Sequence, residues 1–165
     1  MPRFESWADE VWERRQGYSL TAVRDRESLD ILYPASDPRF LHLRVTEGKA
    51  TVGWAVCLST QMSGNAYFGE LRVGSLVDCF AAPADAGQVV RAATHHLIST
   101  GADLIVTNQA HAAWCRALAD AGYTAGPSNF LLALSRKLTQ RLQPLAQHQE
   151  GFHITRGDGD GPIHL

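Results

Sequence analysis

Gly69-Glu-Leu-Arg-Val-Gly-Ser-Leu-Val-Asp-Cys-Phe-Ala81 is the stretch that decides how this chain folds. Its apolar, partly β-branched run predicts a buried strand. Pro83 stops the ladder, because proline has no backbone N–H to donate. Asp85 and Gln88 stand as a helix N-cap and its reciprocal partner would. Val89, Val90, Ala93, Leu97 and Ile98 then recur at helical spacing, and Gly101 suits the left-handed residue that ends a helix. Asp103–Thr107 predicts a second short strand. Strand, helix and strand joined by short connections imply a right-handed crossover between parallel strands. The mouth of that unit lies at the C-terminal end of the first strand, where the helix start presents free N–H groups to a ligand.

Working outward towards the N-terminus, Ala50–Leu58 and Phe40–Val45 alternate around the turn Thr46-Glu-Gly-Lys49, a hairpin signal. A second turn, Met62-Ser-Gly-Asn65, leads into the central strand. Asp25 can cap a helix that runs through Tyr33 to Pro34, and Tyr18–Val23 predicts a short strand. A first helix over Arg3–Arg15 lines up Phe4, Trp7, Val11 and Trp12. Its two tryptophans either dock onto the domain or contact a preceding one, and a homodimer is a further expected partner for this face.

Towards the C-terminus, Gln109–Ala121 predicts a helix with Ala113, Ala117 and Leu118 inward, closed by Gly122. Asn129–Ser135 reads as a strand, Thr139–Gln147 as a helix interrupted at Pro144, and Phe152–Thr155 as the last strand. Arg156–Gly161 closes as a glycine-rich turn. The order is an antiparallel meander, one parallel βαβ crossover and a closing αβ part. It predicts an α/β (α+β) mixed sheet with helices on both faces. We divide the chain into an N-terminal helical extension, 1–35, and a main domain, 36–165.

Composition excludes several functions. The 165 residues carry a net charge of −2, which gives no electrostatic reason to expect nucleic acid. No apolar run is long enough for a membrane span, and the charged, amphipathic N-terminus is unlike a signal peptide. Cys57, Cys79 and Cys115 form no CxxC pair and have no histidine spacing suited to zinc. All three lie in apolar segments, which predicts buried, reduced thiols in a cytoplasmic protein rather than a disulfide or a catalytic cysteine. Asp158 and Asp160 begin like a calcium loop, but the remaining ligands are absent and the interleaved glycines read as a tight turn.

Val77-Asp-Cys-Phe-Ala-Ala-Pro83, followed by the crossover helix and by Gly122-Tyr123, resembles the GNAT superfamily of acyl-CoA-dependent N-acyltransferases. The resemblance spans about Tyr33 to Ser135 by element order. Thr155-Arg-Gly-Asp-Gly-Asp-Gly-Pro162 also resembles the C-termini of GNAT-like proteins linked with bacterial surface-polysaccharide loci. The resemblance implies an acetyl-CoA or other acyl-CoA cofactor and a small amine acceptor, an amino sugar among them. It further implies a central strand that parts from its neighbour beyond Cys79, leaving Phe80 and Ala81 unpaired to meet the cofactor. Gly87 and Gln88 would lie at its pyrophosphate, and Asn108 would be close by.

The departures from that pattern are as specific. Pro83–Val90 lacks the long polar residue of the family's Arg/Gln-x-x-Gly-x-Gly/Ala loop and keeps one of its glycines, and Asp85 adds negative charge beside a pyrophosphate. Leu118 stands where many members carry the tyrosine that protonates the thiolate, and His111 where an asparagine is frequent. Asp78 is the base candidate by position on the strand, against a charge-paired or helix-capping role. Glu70, at the strand's start, is the second candidate. His95 and His96 lie mid-helix and read as structural or solvated, and Asn129 is a candidate substrate contact. Two functions remain: an N-acyltransferase with Asp78 as base, or a non-catalytic GNAT-like binding or tandem-partner domain.

Overall fold

The computed structural model describes residues 3–126 and 131–159. Its elements are α1 (Ser6–Trp12), β1 (Leu20–Thr21), α2 (Arg26–Leu32), β2 (Leu41–Glu47), β3 (Ala50–Gln61), β4 (Arg72–Ala81), α3 (Ala86–Ser99), β5 (Leu104–Thr107), α4 (Ala112–Asp120), α5 (Arg136–Arg141), α6 (Leu145–His148) and β6 (Phe152–His153). The main sheet runs β2-β3-β4-β5, antiparallel except for the parallel β4–β5 pair, and β1 and β6 form a small parallel pair. This is the expected mixed sheet, meander first and crossover second.

Helices cover both faces. On one, Val89, Val90, Ala93 and Leu97 of α3 and Trp114 and Leu118 of α4 pack on Ala55, Cys57, Leu76, Cys79 and Ala81. On the other, Phe4 just before α1, Trp7, Ala8 and Val11 of α1 and Leu29 of α2 pack on Trp54, Val56, Val77 and Phe80. Residues 3–35 thus supply the helices of one layer of the core. Trp12 lies against Phe80 with ring centroids 5.4 Å apart, so both tryptophans dock on this chain's own sheet. Among the described residues no helix is long and apolar enough to cross a membrane.

Several local expectations hold. The Asp25 carboxylate accepts from the Ser28 N–H at 2.9 Å and caps α2. Gly101 ends α3 with φ +82°, a conformation that a side chain resists.

Others are corrected. The central strand starts at Arg72, because Asn65 and Gly69 close a turn that keeps Leu71 and Glu70 out of the ladder. Asp85 makes no side-chain cap, since Pro83 opens a 3₁₀ turn, Pro83–Asp85, that feeds straight into α3. Ile98 is 59% exposed, just beyond the edge of the buried stripe. Leu131–Ser135 forms no strand, and the rest of that predicted strand, with Asn129, lies outside the described residues. Cys57 and Cys79 are buried and free, but Cys115 is exposed.

One irregularity in β4 matters for the site. Val56 pairs with Asp78 and Cys57 with Leu76, so Val77 is an extra residue, a bulge. Strict alternation from Leu76 would send Asp78 to the α3 face. The bulge resets the alternation and turns Asp78 to the α1–α2 face, where Tyr33 meets it.

Candidate functional site between the splayed strands

The β4–β5 ladder ends at Leu76↔Thr107, while β4 stays paired with β3 as far as Ala81. The two central strands therefore part three residues earlier than Cys79. Phe80 and Ala81 are unpaired towards β5 only, because β3 holds their other edge.

The gap is filled by the chain itself. The Cys79 carbonyl is 2.8 Å from His153 Nε2, and the Ala81 carbonyl accepts from the Tyr18 hydroxyl at 2.7 Å. Trp114 Nε1 donates to that hydroxyl at 2.8 Å, and Gln109 Nε2 lies 3.4 Å from Cys79 Sγ. Rings pack behind these bonds: His153 stacks on Trp114 at 5.4 Å, and Tyr18 sits 4.8 Å from both His153 and His111. The C-terminal segment reaches the gap because Phe152 and His153 pair with Leu20 and Thr21, and the Ala110 N–H donates to the Ile154 carbonyl at 3.2 Å.

Below the gap, Asp78 is 1% exposed and fully engaged. Its Oδ1 accepts from Arg24 Nε at 3.1 Å, the Thr155 hydroxyl at 2.9 Å and the Cys79 N–H at 2.8 Å, and its Oδ2 accepts from the Tyr33 hydroxyl at 3.0 Å. Arg24, itself 1% exposed, reaches Asp158 Oδ2 at 2.6 Å with its other branch. Asp158 also takes the Thr155 N–H at 2.8 Å, closing a capping box over a 3₁₀ turn, Arg156–Asp158. Gly157 in that turn lies so close that a Cβ there would fall 2.0 Å from the Tyr33 hydroxyl. The turn is thus a clasp on the end of β4, and no cluster of metal ligands forms among the described residues. Asp160 lies outside them.

Electrostatics follow from this burial. Desolvation pushes the Asp78 carboxyl above its ordinary value, against the pull of the Arg24 guanidinium and the Thr155 hydroxyl. Burial opposes the Arg24 charge too, but Asp78 and Asp158 together outweigh it and hold Arg24 firmly cationic. Burial, then the Asp78 charge, keeps Tyr33 protonated as a donor. Burial, reinforced by Arg24, depresses His153 well below the ordinary imidazole value, so it is neutral in the folded state.

The residues expected to act together are dispersed. Asp78 sits in the buried ion pair, with three donors on Oδ1 and the Tyr33 hydroxyl on Oδ2. Glu70 lies before the far end of β4, exposed, its Oε1 accepting from the Gly64 N–H at 2.6 Å. Phe80 is a core ring, fully buried against Trp12, Tyr18 and Trp54. Gly87 and Gln88 occupy the first turn of α3, where the Arg91 side chain folds back over Gly87. His111 caps α4, its Nδ1 accepting from the Ala113 N–H at 3.1 Å. Asn108 opens instead onto a groove of about 1240 Å³ that runs along β5, bordered by Ile98, Leu104, Leu118, Tyr123 and Ile154. Sequence reasoning gave no functional weight to Arg24, Tyr33 or His153. The one available signal was the Thr155–Asp158 run, whose aspartate needed a cation from elsewhere.

The sequence matches no family profile and no curated protein. Among solved structures, the chain is similar to TTHA1254 from Thermus thermophilus, with 14% identity and a TM-score of 0.50 over 81% of this chain and 98% of that one. It is also similar to meta-AAC0020, an aminoglycoside acetyltransferase from an uncultured soil metagenomic sample. That protein was solved with trehalose and with sisomicin, and it aligns at 14% identity and a TM-score of 0.49, over 79% of this chain and 88% of that one. At 14% identity the likeness to TTHA1254 speaks for the fold alone.

Proposed function

We propose that this chain is a GNAT-like domain whose acyl-CoA gap is closed by its own C-terminal segment, and that it works by binding rather than by acyl transfer. The observation that carries this is the use of the Cys79 and Ala81 carbonyls by His153 and Tyr18. An incoming amide-bearing cofactor arm would have to displace both, together with the rings packed behind them. Two further features support it: the base candidate Asp78 is buried in an ion pair, and Leu118 stands where the family it resembles carries a proton-donating tyrosine. Among the described residues, the groove along β5 is a surface that would take a ligand.

The test is the response to acetyl-CoA. A competent micromolar site at a hundredfold excess of ligand stabilises the native state by about 2.7 kcal/mol, or several degrees at roughly 2–4 °C per kcal/mol. We expect a melting shift of about 1 °C or less. A shift of several degrees, with thiol released in the presence of an amine, would overturn the binding-domain reading.

A second reading keeps the strand end Val77–Pro83 and the mixed-sheet fold in its favour. It is an acetyl-CoA or other acyl-CoA-dependent N-acyltransferase acting on a small amine such as an amino sugar. Thiol release against a panel of amino sugars and aminoglycosides separates the two. In that case Leu118→Tyr would leave turnover unchanged or raise it, by supplying the missing acid.

A further inference from the structure

The segment that fills the gap is a strap, Gln149–Gly159, held at three places. At its start the Ser19 hydroxyl donates to the His148 carbonyl at 2.6 Å and the Ser19 N–H to the Gly151 carbonyl at 2.9 Å. At its end Thr155 and Asp158 engage Asp78 and Arg24. In the middle is His153, fully buried, with Nε2 on the Cys79 carbonyl and with no hydrogen-bond partner for Nδ1 among the described residues. A second proton on this ring must go to Nδ1, where it would be a buried cation with an unpaired N–H.

Among the described residues the surroundings offer no compensating anion. Trp114, Tyr18 and Phe80 pack against the ring, at centroid distances of 5.4, 4.8 and 5.5 Å. The Tyr18 hydroxyl and the Cys79 thiol beside it are both held protonated by burial. The His111 ring lies 6.5 Å away, and the Arg24 cation acts against a positive imidazole. The carboxylates of Asp78 and Asp158 are already paired with Arg24.

We propose that Gln149–Gly159 is an acid-released strap, pinned by His153, whose protonation frees the gap between β4 and β5. The proposal rests on the preceding reading, that this gap is closed by the chain itself. The closed state binds fewer protons than the open one, so closure is at full strength above the ordinary histidine pKa of about 6.5 and weakens as pH falls below it. Between pH 7.5 and 5.5 the opening constant should rise about tenfold.

Amide hydrogen exchange read by mass spectrometry, corrected for intrinsic rates, tests this on the intact protein. Amides of 149–159 should lose about tenfold in protection between the two pH values while those of α3 keep theirs. In His153→Phe the strap's protection should not change with pH. Strap and α3 loosening together would mean a global acid effect, and unaltered strap protection would mean no release. The same loss in His153→Phe would place the proton on His111 or Asp78. Each of these results overturns the proposal. Should His153→Phe fail to fold, NMR titration of the wild-type imidazole decides: His153 titrating at its ordinary value under a fully protected strap is incompatible with a pin. Neither measurement involves acetyl-CoA, so a failure here leaves the binding-domain reading standing.

Discussion

Gly157→Ala is expected to destabilise the fold by about 3 kcal/mol, lowering the melting temperature by roughly 6–12 °C. The added methyl would lie 2.0 Å from the Tyr33 hydroxyl and 3.2 Å from Asp78 Cβ. Neither can move freely: Tyr33 is 1% exposed and its hydroxyl is committed to Asp78. The clasp would have to lift off the end of β4, loosening the Thr155 and Asp158 bonds with it. Tyr33→Phe removes the clashing oxygen, so the double variant Tyr33→Phe/Gly157→Ala should lose less than the two single changes added together. The cycle should show a favourable coupling of about 1–2 kcal/mol. A Gly157→Ala protein that melts with the wild type would mean the turn does not dock on Tyr33.

Arg24→Met should cost about 3–5 kcal/mol, the usual result of removing one partner from a buried ion pair. The loss arises less from the missing attraction than from what is left behind, the buried carboxylate of Asp78 and the partly covered one of Asp158 without their cation. Arg24→Lys should recover only part of it. The guanidinium serves Asp78 from Nε, Thr21 and the Ala22 carbonyl from Nη1, and Asp158 and Thr155 from Nη2. An ammonium cannot span that fork. Adding Asp78→Asn to Arg24→Met should give a protein more stable than Arg24→Met alone, because one stranded charge is gone. The same substitution on its own separates the roles considered for Asp78. A general base predicts a turnover lower by roughly 10²–10⁴-fold with unchanged melting; the ion pair predicts that melting falls first. Unfolding curves of the four proteins, read with two probes, are the measurement.

Much of the architecture is written in short-range pattern. The apolar run ending at Ala81, the Asp25 cap, the hairpin around Gly48, the buried α3 positions Val89, Val90, Ala93 and Leu97, and the stops at Gly101 and Gly122 each depend on residues within a few positions of one another. Burial periodicity and backbone sterics act at that range, so a sequence carries them openly. The site was legible only as a place, the C-terminal end of β4.

What fills that place was decided by tertiary structure. Asp78 meets Arg24 across a separation of 54 residues and Thr155 across 77, and the Cys79 carbonyl meets His153 across 74. A carboxylate on a strand reads the same whether it faces a cleft or a guanidinium. The difference is made by the Val77 bulge, which turns Asp78 to the α1–α2 face, and by the strap that brings Thr155 and Asp158 to it. Bulge, strap and fork are one arrangement, because a buried charge is tolerated only where its partners are delivered together. Pairings across such separations leave no periodic trace in the chain. Local pattern therefore determined where a site lies, and only the folded chain determined that its own residues occupy it.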